Sequence, residues 1–113
     1  MAIRRIVKEG DPILRMKCRP VTEFGEKLNQ LLDDMHETLE QANGVGLAAP
    51  QVGYCRRFFI MHLGDVKIEA INPEIKKTSG KQYVLEGCLS VPNKWGYVTR
   101  PNKCKFRAQN RKG

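Results

Sequence analysis

A change in hydrophobic period divides the chain and most constrains its fold. Between residues 23 and 41 apolar side chains recur at spacings of three and four, which is typical of a helix with one apolar face. The apolar positions are Leu28, Leu31, Leu32, Met35 and Leu39. We predict a helix over residues 23–41, capped by Thr22 and ended by Asn43-Gly44.

After residue 53 the pattern changes to short strand-like runs. We predict strands over residues 57–63, 66–71, 82–85 and 103–108. Turn or loop signals stand between them at Gly64-Asp65, Ser79-Gly80 and Asn93-Lys94. These links are too short for crossover helices, so the sheet should be mostly antiparallel. The predicted class is α+β, with an irregular N-terminal arm over residues 3–21 and then a helix packed on the sheet.

The bulk properties predict a single intracellular domain. A chain of 113 residues is the size of one domain, and it has no apolar run of the roughly 18 residues that a membrane span needs. The N-terminus shows no secretory signal, so we expect a cytoplasmic protein with no membrane partner. Cysteines at positions 18, 55, 88 and 104 form no CxxC pair, which makes a structural zinc knot unlikely and reduced thiols the expectation.

The formal net charge is +8, and basic residues are densest near the end of the sequence. They are Lys103, Lys105, Arg107, Arg111 and Lys112. Such a cluster is either a solvated surface or a site that attracts RNA or another polyanion. No RNA-stacking aromatic motif accompanies it, so sequence-specific nucleic-acid binding is not expected. The final residues, 109–113, resemble the tip of a hairpin turn whose return strand would follow.

The stretch GVGLAAPQVG, residues 44–53, combines small residues with one strongly polar side chain. Small residues let the backbone of a ligand approach the protein backbone closely. The amide of Gln51 can donate a hydrogen bond to a carbonyl oxygen. The alternative interpretation is a tight connection between helix and strand with a surface glutamine.

The stretch EGCLSVP places Cys88 between a glycine and a leucine. Cys88 could be a buried core residue, a nucleophile or a metal ligand. A nucleophile needs a base and a metal needs further ligands, yet the sequence has only two histidines, His36 and His62. His36 begins HETLE, which carries Glu40 where a zinc-binding HExxH has its second histidine. We therefore expect His36 at a surface or boundary and His62 in a structural role.

Taken together, GVGLAAPQVG, EGCLSVP and the later WGYVTRP, residues 95–101, resemble the motifs of the peptide deformylases. The resemblance extends from IVKEGDPILR at the N-terminus to the last predicted strand. It implies removal of the N-formyl group from the initiator methionine of nascent polypeptides by metal-dependent hydrolysis that releases formate. It also implies formyl-methionyl nascent peptides as partners, with the ribosome surface as a further candidate.

In that family the EGCLS cysteine binds a divalent metal, Fe²⁺ or Zn²⁺, together with two histidines of a later HExxH motif. Carried over, the metal ligand is Cys88. The glutamine of the first motif and the N–H after the cysteine hold the formyl oxygen, which implies catalytic roles for Gln51 and Leu89.

The resemblance also implies which residues bind the substrate and which brace the cysteine loop. The loop backbone at Val45 and Gly46 would pair with the substrate peptide, and Glu86 and Gly87 would also bind the substrate. Glu86 and Arg100 are the candidates for an ion pair that braces the cysteine loop.

The HExxH motif, its glutamate and the family's C-terminal helix are not found in these 113 residues. A catalytic metal site needs about three protein ligands, so we expect weak metal retention and impaired or absent activity for this chain alone. The alternatives are a non-catalytic protein that binds peptides or the ribosome, and a partial fragment with no independent function.

Overall fold

The computed structural model describes residues 2–113. These residues form one α-helix, six strands and two short 3₁₀ turns. The bounds are α1 Glu26–Gln41, β1 Gly46–Ala48, β2 Phe58–Leu63, β3 Val66–Ser79, β4 Gln82–Cys88, β5 Val91–Arg100 and β6 Lys103–Gln109, with 3₁₀ turns at Pro12–Arg15 and Ala49–Val52. The predicted α+β class is confirmed, and every pairing between these strands is antiparallel.

The strands form two separate sheets. The larger sheet has the order β1-β2-β3-β6, and β4 and β5 form a two-stranded hairpin. Within residues 2–113, β1 therefore pairs on one side only, with β2, and β6 pairs only with β3. Each of these two strands presents one unpaired edge of backbone N–H and C=O groups.

The predicted apolar stripe of α1 is confirmed as the centre of the core. All five of its residues are buried, and Leu32, Met35 and Leu39 have no solvent exposure. They pack in one cluster with the inward side chains of the larger sheet, which include Leu47, Phe58, Ile60 and Ile71. Burying a large aliphatic side chain stabilises a fold by about 1.5–3 kcal/mol, so this cluster fixes α1 on the sheet.

The predicted start of α1 was wrong by three residues. The helix begins at Glu26 after an extended Gly25, and Thr22 does not cap it. The preceding segment is held extended because Asn72 of β3 hydrogen-bonds both backbone groups of Val21, at 2.7 and 2.9 Å. Tertiary hydrogen bonds therefore override the local capping signal.

Strand β3 is longer than predicted because Asn72-Pro73 does not end it. Asn72 adopts a positive φ of 52°, and the pairing with β6 shifts register between Ile71 and Glu74. Such a bulge accommodates a residue without an N–H and lets pairing resume beyond it. The strand then continues to Ser79.

Strand β5 was not predicted, and the turn expected at Asn93-Lys94 was wrong as a connection. Both residues lie inside β5, where Asn93 has a φ of 62°. The pairing shifts from Gly87 opposite Trp95 to Cys88 opposite Val91, so residues 92–94 bulge out of the hairpin. The turn signal marks this bulge.

Residues 44–53, expected as a compact loop, contain a short strand and a 3₁₀ turn. β1 pairs with β2 from Gly46 opposite Met61 to Ala48 opposite Phe59. The turn that follows, Ala49–Val52, carries Gln51. None of the helices that the structure describes is long and apolar enough to cross a membrane.

Candidate active site

The amide side chain of Gln51 lies against the cysteine of the EGCLSVP segment. Its Oε1 accepts a hydrogen bond from the Ala48 N–H at 2.9 Å, which leaves Nε2 free to act as the donor group. Nε2 lies 3.7 Å from Cys88 Sγ and 3.1 Å from Ser90 Oγ. The two motifs must lie close together if both are to hold one formyl oxygen, and this contact confirms that they do.

A two-residue turn sets the position of the Cys88 thiol. Cys88 is opposite Val91 in the β4–β5 hairpin, so Leu89 and Ser90 form the turn between them. Leu89 packs against the core and Ser90 is buried, whereas Cys88 is exposed to solvent. The turn is thus anchored in the protein through Leu89 and Ser90, and the Cys88 sulfur beside it faces solvent.

Gly44 allows the cysteine turn to pack against the end of α1. A Cβ at this position would lie 2.8 Å from Leu39 Cδ1 and 2.9 Å from Leu89 Cδ1, closer than real Cβ atoms approach other atoms. Only a residue without a side chain therefore leaves space for both leucines. Gly44 places Leu89, a predicted catalytic residue, directly on the buried face of the helix.

The N-terminal arm, for which no role was predicted, supports both halves of the site. The Val7 N–H donates to Gln51 O at 2.7 Å, and the Glu9 N–H donates to Ser90 O at 2.7 Å. Sequence reasoning missed these contacts because backbone hydrogen bonds leave no residue-type signature. It also missed Ser90, although this serine stands inside the EGCLSVP motif.

Glu86 and Arg100 form the predicted ion pair. Arg100 donates two hydrogen bonds to the two oxygens of Glu86, at 2.6 and 2.8 Å. This bidentate contact lowers the pKa of the Glu86 carboxyl, so the pair is charged at neutral pH. It joins β4 to β5 beside Gly87, where Trp95 stacks so closely that an added Cβ would be 2.8 Å from its ring.

The backbone predicted to bind substrate lies at the sheet edge. Val45 is 72% exposed, and its carbonyl accepts a hydrogen bond from the His62 N–H at 2.8 Å. Gly46, also exposed, begins β1 opposite Met61. This edge strand is followed directly by the 3₁₀ turn that contains Gln51.

The described residues do not by themselves form a metal site. Residues 2–113 contain no group of three or more His, Cys, Asp or Glu side chains placed to hold a metal ion. His36 instead contacts His62 at 2.8 Å and Glu69 at 2.8 Å, where α1 packs on the larger sheet. Burial, and then the neighbouring His36, lower the pKa of His62, so it is neutral at pH 7. Cys88 is thus a single candidate ligand.

Comparisons with known proteins agree with this geometry. The profile of the polypeptide deformylase family matches residues 3–113. A peptide deformylase of Clostridium botulinum is 55% identical over 113 residues, which are all of this chain and 77% of that protein. The crystal structure of peptide deformylase from Thermotoga maritima superposes with a TM-score of 0.96 at 42% identity, over 98% of this chain and 76% of that one.

A second similar structure contains a ligand. The Met-Ala-Ser bound crystal structure of a class I type b peptide deformylase from Acinetobacter baumannii is 33% identical, with a TM-score of 0.92, over 98% of this chain and 79% of that one. The matched proteins define a class of metal-dependent hydrolases. This chain belongs to the peptide deformylase family.

Proposed function

We propose that residues 1–113 act as one domain that contributes the substrate-facing part of a deformylase site and one metal ligand, Cys88. The observation that carries this proposal is the position of Gln51 Nε2, 3.7 Å from Cys88 Sγ. A hydrogen-bond donor beside a metal-ligating thiolate is suited to hold the oxygen of a formyl group at the metal. Deformylases hydrolyse that group from the initiator methionine and release formate.

Gln51 and the backbone N–H of Leu89 would together stabilise the developing oxyanion. Gln51 is prepared for this role because Ala48 fixes its Oε1 and thereby directs Nε2 toward the cysteine turn. Leu89 is held by its packing on the core next to Leu39. Donors that are already oriented need no reorganisation as charge develops, and that is the source of their catalytic effect.

The substrate peptide would add to the free edge of β1 through the backbone of Val45 and Gly46, beside Glu86 and Gly87. Edge strands bind extended peptides through main-chain hydrogen bonds. The Met-Ala-Ser complex of the similar Acinetobacter baumannii enzyme supports a short methionine-initiated peptide as the ligand class. Substrates would be formyl-methionyl nascent chains, which places the protein in the cytoplasm.

Cys88 would bind Fe²⁺ or Zn²⁺ together with ligands that the family resemblance assigns to HExxH. Because the 113 residues contain no HExxH, they supply neither those ligands nor the glutamate that would move protons. The proposed role of the ion pair between Glu86 and Arg100 is to keep the Cys88 turn in place.

A formate-release assay on formyl-Met-Ala-Ser tests the proposal. Residues 1–113 alone should release little formate, and the chain extended by a segment carrying HExxH should turn over. Cys88→Ala in the extended chain should abolish turnover, and Cys104→Ser, at an exposed cysteine in β6, should not. Metal-dependent turnover by residues 1–113 alone, lost in Cys88→Ala, would contradict the proposed ligand set. Peptide binding without turnover in the extended chain would favour the non-catalytic alternative.

A second candidate function is contact with ribosomal RNA through the pair β3 and β6. Lys77 is directly opposite Lys105, and Lys103 and Arg107 lie two residues away on either side of Lys105. Like charges directly opposite each other destabilise a sheet, so a polyanion on this face would be stabilising. This function predicts that the protein cosediments with ribosomes and that cosedimentation falls steeply as salt is raised. Cosedimentation should also fall further in Lys105→Gln than in the control Lys81→Gln.

A further inference from the structure

Two thiols meet at a place separate from the Cys88 turn. Cys18 belongs to the N-terminal arm, and Cys55 lies between the Ala49–Val52 turn and β2. Both are free and half-buried, whereas Cys88 and Cys104 are exposed. The Cys55 thiol donates a hydrogen bond to the Lys17 carbonyl at 3.5 Å, which places its sulfur beside the peptide unit that precedes Cys18.

Backbone pairing holds the two cysteines opposite each other. Arg19 and Arg56 form a parallel bridge, in which the Arg19 N–H donates to Cys55 O at 3.3 Å and the Arg57 N–H donates to Arg19 O at 2.9 Å. Cys18 and Cys55 precede the two bridged residues. In parallel segments such preceding residues also face each other, with side chains on the same side.

The pKa of the Cys18 thiol also reflects the closeness of Cys55. Burial, and then the adjacent Cys55 thiol, raise the pKa of the Cys18 thiol. Cys18 therefore keeps its proton more readily than an ordinary thiol.

We propose that Cys18 and Cys55 form a reversible dithiol–disulfide site that takes low-molecular-weight disulfides as its oxidant. One thiolate of the pair attacks glutathione disulfide, forms a mixed disulfide and releases one glutathione thiolate. The other thiolate of the pair then attacks the protein sulfur of this mixed disulfide and displaces the second glutathione. Two protein thiols and one glutathione disulfide become one protein disulfide and two molecules of glutathione.

This disulfide would tie the arm to the body of the domain. The arm also carries Val7 and Glu9, which hydrogen-bond Gln51 and Ser90 of the candidate active site. Cross-linking residues that are distant in sequence removes conformational freedom from the unfolded chain. In the folded protein the same cross-link would limit how far the arm can move from the body. Oxidation would therefore slow opening of the arm and keep the hydrogen bonds of Val7 and Glu9 formed.

The test is disulfide mapping of the purified protein in a redox buffer of glutathione and glutathione disulfide. After alkylation, trypsin places Cys18 in the peptide of residues 18–27 and Cys55 in that of residues 28–56, with Cys88 in residues 82–94. We expect the joined peptides 18–27 and 28–56 to be the major disulfide of the folded protein. The same mapping in urea, where all four cysteines are free to pair, provides the reference.

Variants separate this site from general thiol oxidation. Cys18→Ser should leave a glutathione adduct on Cys55 and no joined peptide, and Cys104→Ser should leave the joined peptide unchanged. Amide exchange at Val7 and Glu9 should be slower in the oxidised than in the reduced protein. The proposal would be overturned if the peptides 18–27 and 28–56 were joined no more often in the folded protein than in urea. It would also be overturned if the folded protein joined either peptide mainly to the Cys88 peptide.

Discussion

Gln51 Nε2 lies 3.7 Å from Cys88 Sγ, although Gln51 is in a 3₁₀ turn after β1, Cys88 ends β4 of the other sheet, and the two residues are 37 positions apart. The contact forms because the Ala49–Val52 turn orients the amide and the β4–β5 turn presents the sulfur. It joins the two motifs of the candidate site.

Replacing Gln51 with Glu should impair the reaction more than binding. The carboxylate keeps the size of the amide but loses its donor N–H, so it repels a developing oxyanion. In the chain extended by HExxH we expect kcat to fall about 10²–10³-fold with a smaller change in KM. Gln82→Glu, the same change at the start of β4, is the matched control and should leave kcat unchanged. An equal loss in both variants would refute the role of Gln51.

Gly44→Ala should destabilise the domain. The new methyl group would overlap Leu39, which is fully buried, and Leu89. Overpacking of this kind costs about 1–3 kcal/mol, measurable by urea denaturation. Gly96→Ala is the control because a Cβ there meets nothing within 4 Å. Equal stability of the two variants would show that the leucines move aside without cost.

Asp34 should make the stability of the fold sensitive to acid. Burial alone would raise its pKa, but hydrogen bonds from the Ala2 N–H, Arg4 and Gln30 outweigh burial and lower the pKa below 3.8. The stabilising contribution is therefore complete above that ordinary value and is lost as the pH falls through the lower folded-state value.

Asp34→Asn should cost about 1–3 kcal/mol at pH 7, because the side chain is 2% exposed and Arg4 loses its charged partner. The loss of stability in acid should also become shallower, as followed by thermal melts between neutral and acidic pH. Asp65→Asn, in the exposed β2–β3 turn, should change neither quantity. A steep acid transition that persists in Asp34→Asn would assign it to other carboxyls.

In the chain extended by HExxH, Arg100→Gln should weaken metal binding without lowering the melting temperature. The ion pair with Glu86 is exposed to solvent, and exposed pairs add little to stability. Removing a group that orients a ligand loop typically lowers metal affinity about 10–100-fold. Lys76→Gln breaks the comparable exposed pair with Glu74 on β3 and should leave metal affinity intact. A lower melting temperature with normal metal affinity would make the pair purely structural.

Local patterns were sufficient where one segment carries its own signal. The stripe from Leu28 to Leu39 predicted α1 and its buried face. The meeting of Gln51 with Cys88 was implied by the family resemblance and not by a local pattern. Patterns failed where distant backbone decides the outcome. Asn72 holds Val21 extended and delays the helix, and a bulge carries β3 past Pro73.

The parts of the site that sequence could not show are backbone contacts and close approaches. No residue type marks the hydrogen bond from Val7 to Gln51 or the one from Glu9 to Ser90. The small residues of the 44–53 loop were predicted to let a ligand backbone approach closely, and the structure shows that the space beside Gly44 is used by the protein's own leucines. Parallel pairing of the arm, which sets Cys18 beside Cys55, likewise follows from tertiary structure.

Cobalt binding tests most directly whether Cys88 is the metal ligand that this part of the protein contributes. A thiolate bound to Co²⁺ gives an intense ligand-to-metal absorption band in the ultraviolet. The chain extended by HExxH should show this band, Cys104→Ser should retain it, Cys88→Ser should lose it, and residues 1–113 alone should show it only weakly. An undiminished band in the Cys88→Ser variant would contradict the account.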